Sequence, residues 1–154
     1  MTYSLRATTD DDYAFLYRLH VATMKDTVAH VWGWDDDFQA DYFREHFDPS
    51  RLRIIVVDGT DVGVLAVEHR EDALFFSNIE IAPSFQGRGL GTEIVRDLLA
   101  EASNRRLPVA LQTNRSNPAR RLYQRLGFVE TGETETHYEM TAKPSAESSG
   151  TPQT

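Results

Sequence analysis

The sequence predicts a single α+β domain with a mixed, mostly antiparallel β-sheet of six to seven strands flanked by about four helices. Three observations support this prediction. Apolar residues recur at helical spacing in four segments, Val- and Ile-rich runs separated by turn residues fill most of the rest, and 154 residues fit one hydrophobic core. The segments follow one another in the order β-α-α-β-β-β-α-β-α-β-β.

The individual elements follow from local signals. Thr9 with three acids after it predicts a helix start, and Val28–Asp35, which contains two Trp residues, is predicted to be a loop. Gly127 is predicted to end the last helix, and Thr131-Gly132 to interrupt the final pair of strands. The predicted strands cover 3–6, 52–58, 62–68, 74–81, 109–113 and 128–139, and the predicted helices cover roughly 9–24, 38–47, 89–102 and 117–126.

Composition excludes several classes of protein. The chain has no Cys, which excludes disulfides, a thiol nucleophile and cysteine metal ligands. No apolar run approaches the roughly 18 residues that a membrane-spanning helix requires. We therefore expect a cytoplasmic protein with no metal and no membrane partner, while a homodimer stays open. From Lys143 the composition turns to Ser, Pro, Gly, Thr and Glu, so we assign residues 1–142 to the folded domain and 143–154 to a disordered tail.

The net charge of −8 is distributed unevenly along the chain. Residues 1–81 contain 7 basic and 16 acidic residues, whereas residues 82–126 contain 8 Arg and 3 acidic residues. An acidic protein with one basic segment is poorly suited to wrapping nucleic acid. The pattern favours a small anionic ligand in the basic segment and a cationic partner elsewhere.

The strongest local feature is a strand, a glycine-rich turn and a helix over residues 79–102. Gly87, Gly89 and Gly91 remove side chains where a ligand must approach the backbone. The first N–H groups of the following helix lack intrahelical partners, and together with the helix dipole they bind phosphate. Arg88 adds a full positive charge. The segment therefore predicts a phosphate-bearing ligand.

Two common phosphate motifs fit this turn poorly. A P-loop requires Lys after its last Gly, but Gly91 is followed by Thr92. A dinucleotide fingerprint requires Gly at position 92 and an acid at the end of the next strand, where Gln112 and Thr113 stand. A nucleotide-binding protein remains only a distant alternative.

Two blocks of sequence resemble those of the GNAT N-acetyltransferases. Gln86-x-x-Gly-x-Gly follows a strand that ends in Ile-Glu-Ile-Ala-Pro, and it is similar to the acetyl-CoA signature of that family. The block Asn117–Phe128, with Asn, Ala, Leu-Tyr and Leu-Gly-Phe, resembles the later motif of the same family. The resemblance covers roughly residues 3–141 and implies an acetyl-CoA-dependent N-acetyltransferase of the GNAT fold, with its sheet splayed at the cofactor site.

The resemblance also implies roles for individual residues. Backbone groups of Ile79 and Ile81 would bind the pantetheine amides, and Asn117 would bond the pantetheine arm. Tyr123 would protonate the departing thiolate, because a phenol with a pKa of about 10 matches a thiol leaving group. The pyrophosphate would be held by the turn and the first residues of the helix: Gln86, Gly87, Arg88, Gly89, Leu90, Gly91 and Thr92.

The general base is less clear from the resemblance. Some relatives carry a Glu where this chain has Gln112, and others carry an acid where it has Asn78 or Ser77. Glu80 is the acid nearest the expected thioester, although strand alternation argues against its facing the acceptor. The other candidates are His20, His137 and a water relay.

The acceptor is expected to be a primary amine on a small molecule or a peptide, attacking acetyl-CoA directly. In the family that this chain resembles, the segment around Trp32, Trp34 and Asp35 covers the acceptor site, and aromatic rings with acids suit a cationic amine. Alternatively, the Trp residues pack against the second helix and the acids begin it. A non-catalytic acyl-CoA-binding regulatory module is the competing function, since Gln112 cannot act as a base.

Overall fold

The computed structural model describes residues 2–31, 35–115 and 117–144, and within them it has the predicted order of seven strands and four helices. The strands are β1 (Ser4–Ala7), β2 (Leu52–Val57), β3 (Thr60–His69), β4 (Leu74–Ile81), β5 (Val109–Asn114), β6 (Val129–Glu133) and β7 (His137–Ala142). The helices are α1 (Tyr13–Val31), α2 (Asp36–His46), α3 (Leu90–Asn104) and α4 (Ala119–Arg125).

The strands form one open mixed sheet in the order β1-β2-β3-β4-β5-β7-β6. Strand β1 pairs antiparallel with β2, and β2 pairs antiparallel with β3. Strands β4 and β5 pair in parallel over Leu74–Phe76 and Val109–Leu111, and β4 continues beyond this paired stretch to Ile81. The fold class predicted from the sequence is therefore confirmed.

The chain divides into two compact units, and the division passes through β3 and β4. Unit one comprises Met1–Ala66 and Asn78–Leu90, and unit two comprises Val67–Ser77 and Gly91–Thr154. One cluster of buried side chains in unit one consists of Leu16, Leu19, Ile54 and Val64. The buried apolar side chains of unit two include Leu74, Ile94, Val95, Leu98, Val109, Leu111, Phe128 and Met140.

The first helix is longer than predicted. Thr9 caps the start through a hydrogen bond from Asp11 N, and a short 3₁₀ turn precedes α1. The helix then continues to Val31, so the prediction of a loop from Val28 was wrong for residues 28–31. Neither Gly nor Pro occurs between the predicted end at Met24 and Val31, and nothing local stops the helix there. Trp32, Gly33 and Trp34 lie outside the described residues.

The interruption of the last two strands was also placed wrongly. Gly132 lies inside β6, where the register with β7 shifts between Glu130 and Gly132. A β-bulge is a common place for Gly within a strand. The chain instead turns at 134–136, where the backbone N–H of His137 donates to Thr134 Oγ1. The predicted tail falls largely on residues 145–154, which lie outside the described part of the chain.

Candidate active site

Unit one contains a pocket of about 220 Å³ that is mostly apolar and aromatic. It lies between α1, α2 and strands β2, β3 and β4. Four polar side chains, His20, His46, Asn78 and Glu80, contribute to its wall beside the apolar and aromatic ones. The complete lining is Leu16, His20, Tyr42, Phe43, His46, Phe47, Leu52, Val64, Asn78 and Glu80.

Glu80 is the carboxylate of this pocket, and it is only 8% exposed. His20 Nδ1 lies 3.3 Å from Glu80 Oε2, and Asn78 Nδ2 donates to the same oxygen at 3.2 Å. Residues two apart on a strand face the same side of a sheet, which explains why Asn78 and Glu80 share the pocket. A buried carboxylate without such partners would be strongly destabilised. The three side chains therefore form one polar cluster in a mostly apolar and aromatic surface.

Gly63 on β3 explains how close β3 comes to this part of β4. A Cβ atom at position 63 would collide with the backbone oxygen of Glu80 and would approach Ile81 Cα to 3.3 Å. Beside it, β2 shifts register between Ile55 and Val56. The sequence analysis missed Gly63, although a Gly inside a Val-rich strand is a recognised sign of close backbone approach.

The glycine-rich turn has the backbone conformation that its composition predicted. Gly87 and Gly89 have φ of +74° and +83°, a region that other residues rarely adopt. A Cβ atom at either position would meet nothing within 4 Å, so their surroundings are open. Leu90, 1% exposed, begins α3 and anchors its first turn. The exposed Arg88 guanidinium lies 5.0 Å from the centre of the Phe85 ring.

Gln86 holds the turn against the end of β4. Its Nε2 donates to the backbone oxygen of Ile81 at 2.8 Å. The sequence analysis assigned backbone groups of Ile79 and Ile81 to a ligand, and one acceptor at Ile81 is thus already engaged within the chain. Ile79 and Ile81 are both half-buried.

Tyr123 lies in unit two and is 8% exposed. Its ring packs edge-to-face on Phe76 and Phe128, at centroid distances of 6.0 and 5.7 Å. At the predicted helix end, Gly127 has a φ of +105°, and Phe128 N donates to the backbone oxygen of Tyr123 at 3.0 Å. Burial raises the pKa of the Tyr123 phenol above its ordinary value, so the group stays protonated near neutral pH.

Asn117 lies in unit two on the wall of a second, strongly basic pocket of about 340 Å³. Its Oδ1 accepts a hydrogen bond from Ala119 N at 2.9 Å, so this oxygen helps to cap α4. The other lining residues are Arg115, Pro118, Arg120 and Arg121. Arg115 pairs with Glu133 and Arg120 with Glu130, which offsets part of the positive charge.

The other predicted polar residues have local partners. Asp35 caps α2 by accepting a hydrogen bond from Phe38 N at 3.0 Å. Gln112 Nε2 donates to Glu139 Oε2 at 3.4 Å, and His137 Nδ1 lies 2.7 Å from the neighbouring Thr136 hydroxyl. Within the described ranges no group of three potential metal-ligating side chains occurs. No helix of the described part combines the length and hydropathy that crossing a membrane requires.

Comparison with known protein families gives one match that covers most of the chain. The model described as the acetyltransferase (GNAT) family matches residues 13–128. These residues include the pocket of unit one, the glycine-rich turn and Tyr123. No curated protein sequence matches this chain.

Several solved structures share this fold. The PaiA N-acetyltransferase from Thermoplasma acidophilum, in complex with coenzyme A, is 14% identical to this chain in sequence and has a TM-score of 0.75. The match covers 93% of this chain and 99% of the Thermoplasma chain. An acetyltransferase from Thermus thermophilus is 20% identical, with a TM-score of 0.70 and coverages of 93% and 97%. The ribosomal-protein-S18-alanine N-acetyltransferase from Escherichia coli is 19% identical, with a TM-score of 0.66 and coverages of 94% and 95%.

Proposed function

The chain belongs to the acetyltransferase (GNAT) family, and we propose that it transfers the acetyl group of acetyl-CoA to a primary amine by direct attack. The observation that carries this proposal is the pocket of unit one, where the buried carboxylate of Glu80 contributes to a mostly apolar and aromatic wall. Such a carboxylate attracts an ammonium ion and then accepts its proton, and both steps must precede attack on a thioester.

The cofactor side of the proposal rests on the glycine-rich turn. Gly87 and Gly89 leave open space around the turn, and the first N–H groups of a helix such as α3 lack intrahelical partners and can serve as donors. We assign the pyrophosphate to Gln86–Thr92, the pantetheine amides to backbone groups of Ile79 and Ile81, and the pantetheine arm to Asn117. The coenzyme A bound to the Thermoplasma acidophilum structure supports this choice of cofactor by analogy.

The proposed reaction requires one base and one acid. Glu80 takes the proton of the acceptor ammonium, with His20 and Asn78 holding its carboxylate. The free amine attacks the thioester carbonyl, the carbon–sulfur bond breaks, and Tyr123 donates its phenolic proton to the departing thiolate. Tyr123 carries its proton at neutral pH, as a general acid must, while burial raises its pKa and so makes the phenol a weaker acid than in water.

Direct attack is favoured over an acetyl-enzyme because the chain contains no Cys. A covalent route would need an activated nucleophile, and it would give ping-pong kinetics. We therefore expect initial rates measured against both substrates to give intersecting lines. Trp32, Trp34 and Asp35 are proposed to cover the acceptor, and Asp35 would do so from the start of α2.

The test is a panel of primary amines and alanine-terminated peptides, with release of CoA thiol as the readout and mass spectrometry to locate the acetyl group. We expect at least one amine to release thiol well above the hydrolysis rate and to carry the acetyl group on nitrogen. Tight binding of acetyl-CoA without any turnover would instead support the regulatory module, which the amide at Gln112 favours.

A further inference from the structure

The pocket of unit one also restricts which amine fits it. We infer that the acceptor is a compact arylalkylamine of about the size of phenethylamine, with its ring inside the pocket and its ammonium group at Glu80. This inference rests on the proposed function and names its substrate class.

The shape of the pocket supports an aromatic body. One part of its wall is aliphatic, formed by Leu16, Leu52 and Val64, and another part is aromatic, formed chiefly by Tyr42 and Phe43 of α2. Rings prefer edge-to-face or offset contacts with other rings, and they gain about 0.5–1.5 kcal/mol beyond the burial of their area. A volume of about 220 Å³ accommodates one ring and a short arm, since cavities of roughly 150 Å³ bind benzene.

The charges in the pocket determine where the amine group lies. Among the described residues, His20 and Asn78 both contact Oε2 of Glu80. We assign the other carboxylate oxygen, Oε1, to the ammonium group of the acceptor. An acceptor with a carboxylate beside its amine would bring two negative charges together. A polyamine would leave its further charges against the aliphatic wall, where an unpaired charge is costly.

The aromatic residues of α2 provide a matched pair of variants. Phe38, Tyr42 and His46 stack along the helix, with centroids 6.1 Å apart for the first pair and 3.9 Å for the second. Tyr42 lines the pocket and is 52% exposed, whereas Phe38 is 62% exposed and lies outside the lining. Removal of either ring should affect stability little, but only Tyr42 contributes wall to the pocket.

The experiment compares phenethylamine, phenylalanine and spermidine in the thiol-release assay and in thermal-shift binding. We expect kcat/KM for phenethylamine to exceed that for the other two by at least about tenfold, the factor that corresponds to 1.4 kcal/mol. Tyr42→Ala should raise the KM for phenethylamine about tenfold, by the loss of one ring contact, and should leave the KM for acetyl-CoA unchanged. Phe38→Ala should change neither constant appreciably.

The outcomes separate this inference from the proposed function. Turnover of spermidine or of phenylalanine ahead of phenethylamine would overturn the inference and leave the acetyltransferase proposal standing. Binding of phenethylamine that requires Tyr42, without acetylation, would support the pocket assignment and count against the proposed reaction. Absence of both phenethylamine binding and turnover would refute the assignment of the pocket to this class of amine.

Discussion

His20 Nδ1 lies 3.3 Å from Glu80 Oε2, and this contact joins residues that are 60 positions apart in the chain. The imidazole comes from α1 and the carboxylate from β4, and both line the same pocket. An imidazole next to a carboxylate can orient it and can share a proton with it. In the proposed reaction Glu80 is the base and His20 is a positioning residue.

The first prediction concerns this pair. Glu80→Gln removes the base and keeps the shape of the side chain, so kcat should fall by about a hundredfold, the lower end of what general-base catalysis contributes. His20→Asn should lower kcat by a smaller factor. The double variant should lose less activation free energy than the sum of the two single losses, because the residues act together. The measurement is acceptor-dependent thiol release over a range of pH.

Glu71→Gln is the matched control, since Glu71 is exposed in the turn between β3 and β4. It should retain the kcat of the original chain. If Glu80→Gln also retains kcat at saturating acceptor and only lowers the melting temperature, Glu80 has a structural role and the base must be sought elsewhere.

Local signals were enough to predict much of the fold, because each acts within a few residues. The Thr9 cap, the Gly87 and Gly89 turn and the Gly127 helix end all depend on conformations that their own residue type favours. The end of α1 was missed because no residue between Met24 and Val31 interrupts a helix.

The candidate site was harder to predict because it depends on contacts that are distant in sequence. From the sequence, strand alternation argued only that Glu80 faces away from the acceptor. Alternation puts Asn78 and Glu80 on the same side of β4, but it does not indicate which side faces the pocket. That side depends on α1 and α2, which contribute His20, Tyr42 and Phe43. The collision that a side chain at Gly63 would cause with Glu80 is likewise visible only when β3 and β4 are neighbours.

The second prediction concerns the cofactor. Acetyl-CoA at about 100 times its Kd should add roughly 2.7 kcal/mol to the free energy of unfolding, which raises the melting temperature of such a chain by about 5–10 °C. Gly89→Leu should abolish this shift, because the side chain would occupy the space of the ligand and strain a φ of +83°.

Gly59→Leu provides the control for that strain. Gly59 has a φ of +76° in the turn between β2 and β3, and a Cβ atom there also meets nothing within 4 Å. Both variants should therefore lose similar stability, while only Gly59→Leu keeps the shift with acetyl-CoA. A larger shift with NAD or ATP than with acetyl-CoA would overturn the cofactor assignment.

The third prediction concerns Tyr123. Tyr123→Phe keeps the ring contacts with Phe76 and Phe128 but removes the acidic proton, so kcat should fall about a hundredfold with little change in acetyl-CoA affinity. Tyr13→Phe is the control, because Tyr13 does not line the pocket and Phe at this position keeps the ring contact with Phe47. Full turnover by Tyr123→Phe in steady-state assays would exclude Tyr123 as the acid.

The last prediction concerns stability in acid and does not depend on function. The Arg6 guanidinium contacts Asp12 at 2.8 and 3.0 Å and Asp61 at 2.8 and 3.2 Å, joining β1 to the start of α1 and to β3. The hydrogen bonds from Arg6 to Asp12, with one from Thr9 N, lower the pKa of Asp12 from 3.8 to about 2.

Between about pH 2 and pH 3.8, the folded chain therefore binds fewer protons at Asp12 than the unfolded chain does. Its contribution to stability is complete above pH 4 and is lost as the pH falls through 2. Asp12→Asn should therefore lower the free energy of unfolding by about 1 kcal/mol at pH 7, a value limited by the 39% exposure of Arg6. In urea unfolding the difference from the original chain should shrink steadily below pH 4. For Asp11→Asn, in the same turn, the difference in the free energy of unfolding from the original chain should not shrink in this way. If the difference for Asp12→Asn does not change with pH, the lost ion pair is not its cause.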